Sequence, residues 1–126
     1  MLSGNKIQIA NAQVSEEAEI IPTVTLVFDN HDGRKGTISC CGQKGDTIGD
    51  VLFEAIKQIF YFQDSSSYRK LKLLSCGANF AYKGGCNAHA HIKIGSSSHK
   101  RGGHHPTNFH MAIARAMVNC FQDLII

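Results

Sequence analysis

"QKGDTIGDVLFEAIKQIF" (residues 43–60) decides the fold, because the spacing of apolar residues changes period here. Ile48, Val51, Leu52, Ala55, Ile56, Ile59 and Phe60 fall at helical spacing and share one face. Asp46 or Thr47 supplies the N-cap, since a short side-chain oxygen there satisfies a first-turn amide. Gly49 is a poor helix former in that first turn and points to close backbone approach. A second helix begins near Thr107, with Phe109, Ala112, Ile113, Ala116, Met117, Cys120, Phe121 and Leu124 on one face. Ala55, Ala112 and Ala116 are small enough to let these helices pack closely, and the two helix starts are about 60 residues apart.

The segments before each helix read as strands. Residues 7–14, "IQIANAQV", alternate Ile7, Ile9 and Val14 with polar positions, although Ala12 breaks the pattern. "SEEAEIIP" is a polar connection, "TVTLVF" (23–28) a β-branched strand, "DNHDG" (29–33) a turn, and "RKGTISCCG" (34–42) the hairpin partner. "QDSSSYRK" (63–70) is a polar linker. Beyond it lie a long strand (71–82), a turn at "KGG" (83–85), a strand (86–94) and a looser third strand within 95–105. The expectation is an α+β fold of two tandem β-β-β-α units, about 7–62 and 71–126, in one domain. Each helix has one apolar face to bury, so both pack on antiparallel sheets.

The 126 residues suit one domain, and 43% hydrophobic with 18% charged residues is a globular composition. A net charge of +3 does not by itself imply a nucleic-acid partner. Cys40, Cys41, Cys76, Cys86 and Cys120 form an odd set without a C-x-x-C, which reads as reduced thiols in a cytoplasmic protein. No apolar run reaches the roughly 18 residues of a membrane span, and the N-terminus lacks the apolar core of a signal peptide.

Four chemistries compete. His89 and His91 share a strand face, and His104 or His105 from the neighbouring strand would complete a three-histidine zinc set. Residues 65–122 contain no Asp or Glu to support such ligands, so exposed sheet histidines are the simpler reading. No signature places a base beside a nucleophile, and Asp46, Asp50 and Glu54 sit where a helix N-terminus favours acids. Arg69, Lys70, Lys72, Lys83, Lys93, Lys100 and Arg101 bias the second half toward positive charge, but Tyr68, Phe80, Tyr82 and Phe109 are sparse for a base-stacking platform. Gly49, Gly77, Ala81, Ala88 and Ala90 leave room for a small ligand or for tight packing, and the spacing favours packing.

Four stretches in order resemble the C-terminal regulatory domain of 2-isopropylmalate synthase and citramalate synthase. "QVSEEAEIIPTVTLVFDNHDG" (13–33) is similar to its Gln-Val-Ser strand end and Ile-Pro-Thr-Ala-Thr-Val strand. "GDTIGDVLFEAIKQI" (45–59) is similar to its Gly-x-Gly-Pro-x-Asp-Ala helix start. "AYKGGCNAHAHIKI" (81–94) resembles the Gly-Gly-Thr-Asp-Ala turn, and "PTNFHMAIARAMVNCFQDL" (106–124) the closing Thr-Asp-Ile helix. The resemblance implies a homodimer that binds a branched-chain amino acid, leucine or isoleucine, as feedback effector. It further implies a partner catalytic barrel, on the same or another chain, which uses a divalent metal and acetyl-CoA for acyl transfer. That barrel is not in this chain, so the chain itself is expected to hold no cofactor and do no chemistry. It is then either an excised domain or a stand-alone relative. Carried over by position, the effector site is Gly49, Asp50, Leu74, Gly77, Ala81, Asn87, Ala88, Ala90, Thr107 and Phe109. A helix N-terminus favours anions, which suits an effector carboxylate near Thr47–Asp50 or Thr107–Asn108. The family's two Thr-Asp pairs are Cys86–Asn87 and Thr107–Asn108 here, so two acids that would face an ammonium group have become amides.

Overall fold

Alternating β-branched residues build the first sheet. In the computed structural model, which describes residues 7–16, 22–29, 33–43, 45–61, 71–80 and 84–125, β1 (Gln8–Glu16), β2 (Pro22–Asp29) and β3 (Lys35–Cys41) pair antiparallel in that order. Val24 and Leu26 of β2 are fully buried, while Thr23, Thr25 and Val27 alternate to the other face. A bulge between Ile9 and Asn11 explains the broken alternation of β1. The extra residue shifts the phase, so that Ile9 and Ala12 both reach the core.

The second sheet repeats this plan with β4 (Leu71–Phe80), β5 (Cys86–Ile94) and β6 (Ser97–His105), again antiparallel in chain order. Its first strand is bulged too, between Leu73 and Ser75, which leaves Leu74 48% exposed beside buried Leu71. The loosely defined third strand of the sequence reading pairs along all nine of its residues with β5.

α1 (Ile48–Tyr61) packs on β2 and β3, and α2 (Phe109–Ile125) packs on β5 and β6 and reaches β1. The predicted stripes are buried at Val51, Leu52, Ala55, Ile56 and Ile59, and at Ala112, Ala116, Met117, Cys120 and Phe121. Each fully buried Leu, Ile or Phe contributes about 1.5–3 kcal/mol by leaving water. The helices also touch each other, with Phe53 5.8 Å from Phe121, and Phe53, Ala114 and Val118 are buried beyond the predicted stripes. Gln122 donates to the Ile7 carbonyl at 2.7 Å and ties the end of α2 to the first sheet. The contact of α2 with β6 is backbone on backbone. A Cβ on Gly103 would stand 2.3 Å from the Ala112 carbonyl oxygen and 2.4 Å from the Ala116 nitrogen.

The fold is therefore α+β, two tandem β-β-β-α units sharing one core. The expected linker at 63–70, the acidic connection at 17–21 and Ala81 lie outside the described residues, as do the side chains of Phe60 and Leu124. No helix among the described residues is long and apolar enough to cross a membrane.

Candidate functional site

Both helices start against one strand. At α1, Thr47 is the N-cap: the Asp50 amide donates to Thr47 Oγ1 (3.1 Å), and the Thr47 amide donates back to Asp50 Oδ2 (3.0 Å). This reciprocal capping box uses a carboxylate at the positive end of the helix. Asp46 instead accepts from the Gln43 amide at 2.8 Å and closes the preceding turn. Gly49 meets β4 directly, since a Cβ there would lie 2.5 Å from Cys76 Sγ. At α2 the cap is Asn108, whose Oδ1 accepts from the Met111 amide at 3.1 Å, so the helix begins directly after Asn108, beside the expected start near Thr107. Phe109 in its first turn packs against Phe80 of β4 in a tilted pair, with ring centroids 4.5 Å apart. Cys76 and Phe80 are four residues apart on one strand, so the two contacts are separated by about 13 Å.

The His104–His105 pair completes the start of α2. His105 Nδ1 accepts from the amides of Thr107 (3.1 Å) and Asn108 (3.0 Å). Accepting both requires a neutral ring protonated on Nε2. Desolvation by burial, then the charges of Arg115 and His104, hold its pKa below the usual 6.5. His104 points to the opposite face, where Nδ1 lies 2.8 Å from Asn87 Oδ1, and its carbonyl accepts from Arg115 at 2.8 Å. Asn119 likewise donates to the Gly102 carbonyl at 2.8 Å, so α2 covers part of the β6 edge. None of these roles was read from the sequence, because each depends on which strand face meets α2.

The resemblance-derived residues fall on two faces of the second sheet. Gly77 pairs with His89 and shares its face with Asn87. Ala88 and Ala90 alternate to the helix face, where Ala90 is fully buried and its carbonyl accepts from Cys120 Sγ. Ala88 is half-buried, directly across from Ala78 and Gly103. Gly49, Ala78, Ala88 and Phe109 thus border the helix face of β4 and β5, Leu74 sits on the bulge, and Thr107 is exposed beside the α2 cap. Asp50 also lines a separate cavity of about 670 Å³ between β3, α1 and the start of β4, together with Cys40, Cys41, Glu54, Gln58 and Lys72.

All five cysteines are free thiols. Burial, then Glu54 and Cys41, raises the Cys40 pKa against the opposing hydrogen bond from Gln58, and burial followed by Asp50 raises that of Cys76. Both stay protonated near neutrality, the opposite of an activated nucleophile. His89, His91 and His104 share one sheet face, but no group of three or more His, Cys, Asp or Glu among the described residues is arranged to hold a metal ion. Comparison with known proteins finds no matching family model and no matching curated protein.

Proposed function

We propose that the chain is a regulatory domain that binds a branched-chain amino acid, leucine or isoleucine, and dimerises to control an acyl-transferring synthase of the 2-isopropylmalate or citramalate type. The observation that carries this reading is the meeting of both helix starts on β4, at Cys76 and Phe80, with only the small Ala78 between them on that face of the strand. That strip joins the two units, so a ligand seated there would contact both helices. The Asp50 carboxylate is then the acid nearest to hand for an effector ammonium group, and the half-buried Ala78–Ala88 pair forms an apolar floor for a branched side chain. The chain itself performs no chemistry, needs no cofactor and works in the cytoplasm, beside a catalytic barrel that brings the metal and acetyl-CoA.

Isothermal calorimetry with leucine, isoleucine and valine tests the proposal. Saturable heat is expected for at least one of them at millimolar ligand or below. Ala88→Trp removes that heat; Ala78→Trp, on the edge strand directly across, is the companion variant that leaves the core contacts of Ala88 intact. Absence of heat with all three amino acids, or normal binding by both variants, overturns the reading.

A further inference from the structure

We propose that the uncovered face of the β4–β5–β6 sheet binds single-stranded nucleic acid. α2 covers one face of this sheet, and register places the remaining side chains in rungs on the other: Lys72–Lys93–Ser98, Ser75–His91–Lys100, Gly77–His89–Gly102 and Asn79–Asn87–His104. These residues are exposed or half-exposed. The rungs of this face hold three lysines and three histidines and no acidic side chain, Lys72 at its end also bordering the cavity that Asp50 and Glu54 line, and Lys72 stands directly opposite Lys93. Like charges paired across strands destabilise a sheet, and an anionic partner would remove that cost. Charge is divided between the halves of the chain: residues 1–64 carry five Lys or Arg against nine Asp or Glu, and residues 65–126 carry eight against one. Such asymmetry is the mark of an anionic partner rather than of a generally basic surface.

The polar detail favours a nucleic acid strand over other anions. Side chains on one strand face repeat at about 6.6 Å, close to the phosphate spacing of an extended single strand. His89 has glycines on both sides in its rung, and its ring leans over Gly77, where a Cβ would lie 3.1 Å from His89 Cε1. The open side of that ring is available for a base to stack on, as histidine does in single-strand recognition. The next rung offers the Asn79 amide and the NH2 group of Asn87, whose Oδ1 already meets His104, to pair with base edges. Aromatics are sparse in the sequence of this half, and the flat glycine-flanked imidazole is formed only when the strands are in register.

Fluorescence anisotropy with a labelled ten-nucleotide RNA, at rising salt, tests the proposal, with heparin as a polyanion that cannot stack. Binding by the full chain is expected to weaken steeply with salt, and Lys72→Ser/Lys93→Ser/Lys100→Ser should flatten the logarithmic salt slope by about 2 units. His89→Ala should weaken RNA binding about tenfold, leave heparin binding unchanged and be rescued by His89→Tyr. No RNA binding at low salt overturns the proposal. So does an unaltered slope in the triple lysine variant, or equal effects of His89→Ala on RNA and heparin, which would mark a generic polyanion patch. Salt-sensitive self-association without RNA binding would assign the face to a second copy instead and equally overturn it.

Discussion

The two sheets share strand order and a bulged first strand, and they differ in what they present outward. On the outer face of the first, Thr25 and Ser39 hydroxyls bond each other at 2.9 Å, and Lys35 reaches Asp29 at 3.0 Å. On the second, lysines and histidines face each other with no acid among them. The helix ends differ in the same way. α1 is capped by a hydroxyl and a carboxylate, Thr47 and Asp50, whereas α2 is capped by an amide and an imidazole ring, Asn108 and His105. One β-β-β-α plan thus carries a self-satisfied version and a version whose charges and cap respond to what surrounds them.

The largest expected effect comes from how closely each unit seats its helix. Gly103→Ala should destabilise the protein by about 3 kcal/mol, because the new methyl meets helix backbone that cannot swing aside. Gly42→Ala should cost only about 1 kcal/mol, since its nearest obstacle, at 2.6 Å, is the end of the Val51 side chain. Urea unfolding of both variants checks the order, and equal losses would contradict backbone seating of α2.

The caps should separate by pH. Thr47→Ala should cost about 1 kcal/mol across the range from pH 5 to 7.5. His105 has its folded pKa lowered, so the unfolded chain binds more protons and stability rises with pH. Its contribution is fully present above the ordinary value of 6.5 and is lost as pH falls through 6.5 and then through the lower folded value. His105→Ala should therefore cost about 1 kcal/mol at pH 7.5 and progressively less toward pH 5. His105→Asp, which still accepts the two amides, should reduce the acid sensitivity of the melting temperature. A smaller effect is expected on the outer face: Lys93→Glu, opposite Lys72, should stabilise the sheet by about 0.5 kcal/mol.

The strands, both helix stripes and the doubling were legible because they rest on local period. Thr47 was legible because its cap is set within one helical turn, and Gly49 because a glycine in a first helical turn is out of place locally, although its partner Cys76 lies on β4. The bulges were not: Ala12 showed that alternation failed, but only pairing with Leu26 shows that the extra residue lies before it. Phe53 stood off the predicted stripe because its partner, Phe121, belongs to the other helix. His104 and His105 were unexplained in the sequence for a physical reason too. Adjacent strand residues face opposite ways, so one ring serves the helix cap and the other the open face. Of the residues carried over from the resemblance, Gly49, Ala88 and Phe109 border one strip, while Gly77 and Asn87 lie across the sheet from them.

The central claim is that an amino acid binds where both helices start on β4. Titrating the isotopically labelled protein with leucine, then isoleucine, and following its amide resonances tests this most directly. The account predicts saturable shifts concentrated at Gly49–Asp50, Cys76–Ala78, Ala88 and Phe109. Shifts confined to other elements, or none at millimolar ligand, would contradict it.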